Sequence, residues 1–126
     1  MRRLAVPCAI VLWLTGCGGG DDEEPVRTAT VNPNSTLRVS AAEYSFDPGR
    51  VVVRGAGPLT ITLRNAGDLA HDLRLRRADE ELGGTPVIPA GETVSARVNL
   101  EHGNYEMFCS VGDHAELGMT GEFEVR

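Results

Sequence analysis

Histidine, cysteine and methionine are scarce in this sequence, with three of each among 126 residues. So few histidines cannot supply a histidine-rich catalytic cluster. No apolar run reaches the roughly 20 residues that a membrane-spanning helix needs. The length allows one domain with a two-layer core and leaves little room for a second, substrate-binding domain. These shortages disfavour a large enzyme.

The N-terminus has the pattern of an export signal. Met1-Arg2-Arg3 is positively charged, and the apolar run at 4–14 has the length of a signal-peptide core. The next residues, Leu14-Thr15-Gly16-Cys17, resemble the bacterial lipobox, in which the chain is cut before a cysteine that then carries lipid. We therefore predict a signal peptide at 1–16 and an extracytoplasmic lipoprotein anchored to the bacterial cell membrane through Cys17. The alternative is an ordinary cleaved signal that happens to contain a cysteine.

The cysteines leave one thiol to explain. Cys8 is removed with the signal peptide and Cys17 is consumed by lipid, so only Cys109 remains and no intramolecular disulfide can form. A single cysteine in an oxidising compartment has to be buried, paired with another chain, or used as a nucleophile or metal ligand. Cys109 is therefore a candidate functional residue.

The mature chain is acidic. Loss of Arg2 and Arg3 with the signal peptide reduces the 12 basic side chains to 10, against 18 acidic ones, for a formal charge of −8. We therefore expect no nucleic-acid partner, because phosphate backbones are bound by basic surfaces.

Residues 17–35 have the composition of a linker. The stretch is rich in glycine, proline and charge and has almost nothing to bury. We predict a lipid-anchored flexible linker at 17–35 and a folded domain at 36–126.

Short runs rich in β-branched and apolar residues recur between turn sequences in the predicted domain. They lie at 37–40, 50–54, 59–63, 71–76, 93–100, 104–109 and 120–125. No long stretch shows a sustained helical period. The pattern predicts an all-β sandwich of seven to eight strands.

The C-terminal part of the domain carries a set of metal-binding side chains. Cys109, His114 and Met119 are separated by gaps of four residues, and they leave the end of a predicted strand and enter a loop. Such a loop can bring a thiolate, an imidazole and a thioether to one point. Thiolate and thioether together favour copper, whereas zinc sites seldom use methionine.

A fourth ligand has to come from His71 or His102. His71 follows the turn at 65–70 and begins a predicted strand, so it can lie at the same end of a sandwich as the Cys109 loop. His102 lies in the hairpin turn before the cysteine-bearing strand, near the opposite end. His71 is therefore the better candidate.

From about Leu37 to Arg126 the chain resembles the cupredoxins, the blue copper proteins related to plastocyanin, azurin and auracyanin. The resemblance rests on Phe108-Cys109, then His114 and Met119 at the stated spacing, and on the closing strand at 122–125. It implies a Greek-key sandwich that binds one copper ion through His71, His114 and Cys109, with Met119 as a long axial ligand.

The resemblance also implies a function: a type 1 copper protein that shuttles one electron between membrane or extracytoplasmic redox partners. We expect a monomer that meets these partners transiently. Four protein ligands leave no open position for a substrate, so we expect no enzymatic activity.

Two further sets of residues surround the predicted site. Asp72 stands where many cupredoxins have asparagine, and an ionised aspartate only accepts hydrogen bonds. We hypothesise that Asp72 accepts a hydrogen bond from Ser110 and ties the two ligand loops together.

In the family, electrons leave through the histidine of the C-terminal loop, here His114. The expected apolar docking patch around that histidine consists of Leu69, Ala70, Ala115 and Leu117.

Three other functions compete with electron transfer as interpretations of the sequence. An extracytoplasmic copper storage or delivery protein tends to use methionine- and histidine-rich, accessible ligands, whereas this chain has only three methionines. A nitrite reductase or oxidase fragment needs further copper centres. A copper-free binding module is disfavoured because all four ligands are present.

Overall fold

The computed structural model describes residues 16, 18–20 and 23–126. The predicted signal peptide, apart from Gly16, and the predicted lipid-bearing Cys17 lie outside the described residues. Within this part of the chain, no helix has the length and apolar character that a membrane crossing requires. The described residues contain ten strands: β1 Thr28–Val31, β2 Thr36–Ala42, β3 Ser45–Asp47, β4 Arg50–Val53, β5 Gly57–Asn65, β6 Arg74–Arg77, β7 Glu80–Gly84, β8 Thr93–Leu100, β9 Gly103–Phe108 and β10 Thr120–Val125.

The strands form two sheets that enclose one apolar core. The larger sheet has the order β1-β4-β10-β9-β6-β7, and the smaller sheet has the order β3-β2-β5-β8. Alternate residues of β2 and β5 point inward, as the period of two requires; on β5 these are Leu59, Ile61 and Leu63, all at most 1% exposed. The predicted all-β Greek-key sandwich is confirmed, with ten strands in place of seven to eight.

One of the additional strands corrects the predicted linker. We expected a flexible segment through residue 35 and a domain from residue 36, but Thr28–Val31 forms β1 and pairs in parallel with β4. Ala29 and Val31 pack partly buried against the core, while Thr28 and Thr30 are exposed. Sequence alone does not distinguish this strand from linker, because the segment is short and mostly polar and has only two apolar residues that face the core.

The remaining differences concern hairpin partners and the segment around His71. β3 pairs with the end of β2, and β7 pairs with β6, and neither strand was predicted. The predicted strand from His71 is wrong at its start, because β6 begins at Arg74. His71 instead makes a single bridge with Ile88, in which each backbone N–H donates to the other residue's carbonyl, at 3.1 and 2.9 Å.

Several strand ends meet at one end of the sandwich, which we call the ligand end. Here β9 ends at Phe108 and β10 begins at Thr120, and these two residues are paired. In the smaller sheet, β2 and β5 run in parallel, with Ala41 beside Asn65 near the ends of both strands. The loops that carry all four predicted ligands therefore start or finish at the ligand end.

The N-terminal segment also enters the domain at the ligand end. Thr28 is paired with Arg50, and Arg50 is paired in turn with Glu122, near the start of β10. Before the strand, residues 24–27 line a surface groove that also includes Gly118 and Thr120, which flank Met119. The start of β1 is thus close to the loop that ends at Met119.

The assignment of β1 can be tested with one pair of substitutions. Val31→Asp places a charge against the core and should lower the free energy of unfolding by about 1–3 kcal/mol. Thr30→Asp places the same charge on the exposed face of the strand and should change it by no more than about 0.5 kcal/mol. Denaturant unfolding of the two metal-free proteins measures the difference. Equal effects of the two substitutions would show that residues 28–31 are linker.

Candidate metal centre

The loop at 109–119 is held in shape by its own backbone. The Cys109 N–H donates to the Met119 carbonyl at 3.1 Å, and the Met119 N–H donates to the His114 carbonyl at 3.0 Å. A further bond runs from the His114 N–H to the Val111 carbonyl at 3.1 Å. Gly118 has a φ of 105°, a conformation that favours glycine, and it allows the chain to turn before Met119. The three predicted ligands of this loop are therefore linked to one another through main-chain hydrogen bonds.

The segment before His71 is anchored by Asn65, which is fully buried. Its side-chain amide donates to the carbonyls of Leu69 at 2.8 Å and Ile88 at 3.0 Å. Its side-chain oxygen accepts from the Gly67 N–H at 3.0 Å. Because Ile88 also bridges to His71, one buried side chain fixes both sides of the segment that presents the histidine.

Three of the predicted ligands converge in the interior. Cys109 Sγ lies 3.6 Å from Nδ1 of His114 and 3.9 Å from Nδ1 of His71. The donor atoms of these three residues all lie within 4.8 Å of one another. Sulfur and nitrogen atoms bound at about 2.3 and 2.0 Å to one ion would be roughly 3.5–3.7 Å apart, so the observed spacing fits a shared metal.

Burial separates the four predicted ligands from water to different degrees. His71 and Met119 have no exposed surface, Cys109 is 1% exposed and His114 is 7% exposed. Met119 is linked to Cys109 and His114 by backbone hydrogen bonds. His102 is exposed in the turn between β8 and β9, at the other end of β9 from Cys109, and it takes no part in the cluster.

The proton position on His71 follows from its neighbour Glu43. The carboxylate Oε1 of Glu43 lies 2.9 Å from Nε2 of His71. The pKa of Glu43 is lowered to about 2, chiefly because the Leu69 N–H donates to the carboxylate. An ionised carboxylate only accepts hydrogen bonds, so this contact calls for a donor at Nε2 of His71, and Nδ1 is the ring nitrogen on the Cys109 side.

Burial raises the pKa of the Cys109 thiol above its ordinary value, and the nearby charge of Asp72 adds to this effect. In the absence of metal, Cys109 therefore carries its proton at neutral pH. Metal binding has to displace that proton, because the thiolate is the form that binds metal.

Asp72 and Ser110 connect the two ligand-bearing segments. Asp72 is 2% exposed, and one of its carboxylate oxygens accepts the Ser110 backbone N–H at 2.7 Å. The other oxygen accepts the Ser110 hydroxyl. The hypothesised hydrogen bond is therefore present, and it joins the residue after His71 to the residue after Cys109.

The predicted docking residues flank the ligands in sequence. Leu69 and Leu117 are 45% and 51% exposed and belong to the small set of large apolar side chains that the described residues leave at the surface. Ala70 and Ala115 are partly exposed. The structure thus leaves apolar side chains exposed or partly exposed on both ligand-bearing segments.

Fold and donor set together define a class of protein. Two histidines, a cysteine and a methionine in a β-sandwich form a soft donor set of the kind that suits copper. The family model described as "Cupredoxin-like domain" matches residues 6–120, and the chain belongs to this family. The cofactor of the chain is one copper ion.

Solved structures with the same fold are distant in sequence. Auracyanin from Roseiflexus castenholzii is 15% identical, with a TM-score of 0.67 over 75% of this chain and 98% of that chain. Rusticyanin from Thiobacillus ferrooxidans is 20% identical, with a TM-score of 0.62 over 77% and 82%. A multicopper oxidase is 18% identical, with a TM-score of 0.57 over 72% of this chain and 41% of its own. No curated protein matches the sequence.

Sequence reasoning missed two residues that shape the site. Glu43 had the appearance of an ordinary turn residue, and Asn65 that of part of a turn. Both become neighbours of His71 only because β2 and β5 run side by side, which brings residues far apart in sequence to one sheet edge. Their positions, a few residues beyond the predicted runs at 37–40 and 59–63, are the one sequence feature that could have pointed to them.

The role of Asp72 can be tested by removing its carboxylate. Asp72→Ala should weaken copper binding by about 10–100-fold, the usual cost of losing a residue that supports metal ligands. The visible spectrum should also change, since the two ligand loops lose their connection. Competition with a copper chelator and absorption spectroscopy measure both effects. Glu116→Ala, an exposed acidic residue of the same loop, is the control, and an unaltered spectrum and affinity in Asp72→Ala would refute the role.

Proposed function

We propose that this chain is a type 1 copper electron-transfer protein in which His71, Cys109, His114 and Met119 hold the ion. The observation that supports this most strongly is the convergence of three buried donor atoms from two separate loops, with Met119 on the same loop as two of them. Copper supplies a one-electron couple between Cu(II) and Cu(I). The protein shuttles single electrons between membrane or extracytoplasmic redox partners.

The residues of the site suit this task because they cannot move far. An electron carrier needs a ligand set that serves both oxidation states with little rearrangement. The backbone bonds of the loop at 109–119 restrict one side of the site. The Asn65 amide, the His71–Ile88 bridge and the Asp72–Ser110 pair restrict the other. Burial of the donors also keeps water away from the metal.

The same geometry favours a carrier over an enzyme. The four donor side chains are at most 7% exposed, so a substrate would find little access to the ion. The multicopper oxidase shares the fold over only 41% of its own length, and that likeness extends to architecture alone. A delivery protein would need ligands that release copper readily, which a buried and hydrogen-bonded set opposes.

His114 is the proposed route for the electron. It is the most exposed of the four donors, and its ring packs edge-on against Tyr44, with 5.1 Å between ring centroids. The apolar patch of Leu69, Ala70, Ala115 and Leu117 lies on the same loops. A small apolar surface suits a transient partner, because redox encounters use small interfaces and must separate quickly.

The location of the protein is part of the proposal. The charged and apolar N-terminal pattern supports export, and the lipobox at 14–17 supports a lipid anchor on Cys17. We propose a monomer held on the extracytoplasmic side of the bacterial cell membrane, joined to its anchor by residues 18–27.

Absorption spectroscopy of the detergent-solubilised chain is the direct test. Added Cu(II) should give a strong blue band that bleaches with ascorbate and returns on reoxidation, since the band arises from a copper thiolate. His71→Ala should weaken or shift the band, whereas His102→Ala should leave it unaltered. Absence of the band with a free Cys109 thiol would favour a copper-free binding module. Rapid loss of copper to a strong Cu(I) chelator would instead favour delivery.

The docking patch can be tested without knowing the natural partner. Leu117→Asp should slow electron self-exchange between oxidised and reduced copies by about tenfold or more, because like charges would then meet across the contact. NMR line broadening measures the rate, and the blue spectrum should persist. Leu82→Asp, which alters an exposed leucine of β7, is the matched control. Equal rates in the Leu117→Asp and unaltered proteins would place the docking surface elsewhere.

A further inference from the structure

Glu43 contacts the most deeply buried part of the site although it is not a predicted ligand. It lies in the turn between β2 and β3, 28 residues before His71 in the sequence. Its Oε1 is 2.9 Å from Nε2 of His71, on the side of the ring that faces away from Cys109. The contact therefore reaches the metal position through the imidazole.

The carboxylate of Glu43 is held in place independently of His71. Its Oε1 accepts the Leu69 N–H at 2.8 Å and the Asp68 N–H at 3.0 Å, and Oε2 lies 3.2 Å from the same Asp68 nitrogen. Gly67 leaves the necessary space, since a Cβ there would lie 2.5 Å from Oε1. The turn before His71 thus forms a small receptor for one carboxylate.

The two histidines of the site differ in the group that contacts the imidazole ring. His71 has a carboxylate on its outer nitrogen, whereas His114 packs against the ring of Tyr44. Asp72, the buried acid beside His71 in the sequence, directs both of its oxygens to Ser110. Glu43 is therefore the acid that acts on an imidazole ligand.

We propose, on the basis of the proposed function, that Glu43 is a positioning residue that locks His71 with its proton on Nε2 and lowers the reduction potential of the copper. The hydrogen bond fixes the ring orientation and leaves Nδ1 free to bind, as a carboxylate behind a metal-bound histidine does. Its negative charge interacts more strongly with Cu(II) than with Cu(I) and therefore favours the oxidised ion.

Two substitutions, each made in the full-length chain, separate the effect of Glu43 on the reduction potential from its effect on the His71 tautomer. Glu43→Gln removes the charge but retains a side-chain oxygen that can accept from His71, so the reduction potential should rise while the blue band persists. Glu43→Ala removes charge and acceptor together, so the potential should also rise and the ring should lose its fixed tautomer. Asp68→Asn removes one charge from an exposed position in the neighbouring turn before His71 and is the matched control. Its potential should shift less than that of Glu43→Gln.

Nitrogen NMR of the metal-free proteins, at a pH where the imidazole is neutral, reports the tautomer without copper. The unaltered and Glu43→Gln chains should carry the His71 proton on Nε2, and Glu43→Ala should show a mixture. A proton on Nδ1 in the unaltered chain, or a Glu43→Gln potential that moves no more than that of Asp68→Asn, would overturn the proposal. Absence of any blue band in the unaltered chain would overturn the proposed function instead, and the tautomer measurement would still decide the positioning role.

Discussion

The pairing of Phe108 with Thr120 sets the geometry on which the site depends. These residues are the last of β9 and the first of β10, so the loop between them must leave and return across one strand spacing. Within that constraint, the backbone bonds among Cys109, His114 and Met119 bring three ligands together without help from distant residues. The apolar core beneath, with Met107 and Phe123 almost fully buried, keeps the two strands in register.

A second constraint is the cost of burying polar groups in that interior. A buried donor or acceptor without a partner is expensive, and a connected network is rigid. Asn65, His71 and Asp72 are all buried, and each makes side-chain hydrogen bonds to the neighbouring loops. Among the described residues, no buried side-chain nitrogen or oxygen lacks a hydrogen-bond partner. The polar groups around the metal position therefore stabilise one arrangement of the ligands.

The predictions from sequence succeeded where the pattern is local. β8 and β10 have the predicted limits, since their alternation of inward and outward residues is clear. The cluster of Cys109 with His114 was foreseeable for the same reason, because the spacing along one loop sets the distance. Pairing between segments that are distant in sequence was not foreseeable. β1 depends on its place beside β4, and the contact of Glu43 with His71 depends on the parallel alignment of β2 and β5. The positions of short strands along the sequence do not specify which strands lie side by side.

The entry of the chain at the ligand end has a consequence for the orientation of the whole molecule. With Cys17 as the anchored residue, ten residues separate the lipid from the start of β1, and fully extended they span about 33–36 Å. Since β1 begins beside Gly49 and the start of β10, such a linker would join the sandwich at its ligand end. A lipid on Cys17 would thus tether the domain by its ligand end, and the turn that holds His102 would be the part that can point away from the lipid. Lengthening that linker would widen the zone above the bilayer that the copper can reach, while the fold itself stayed the same.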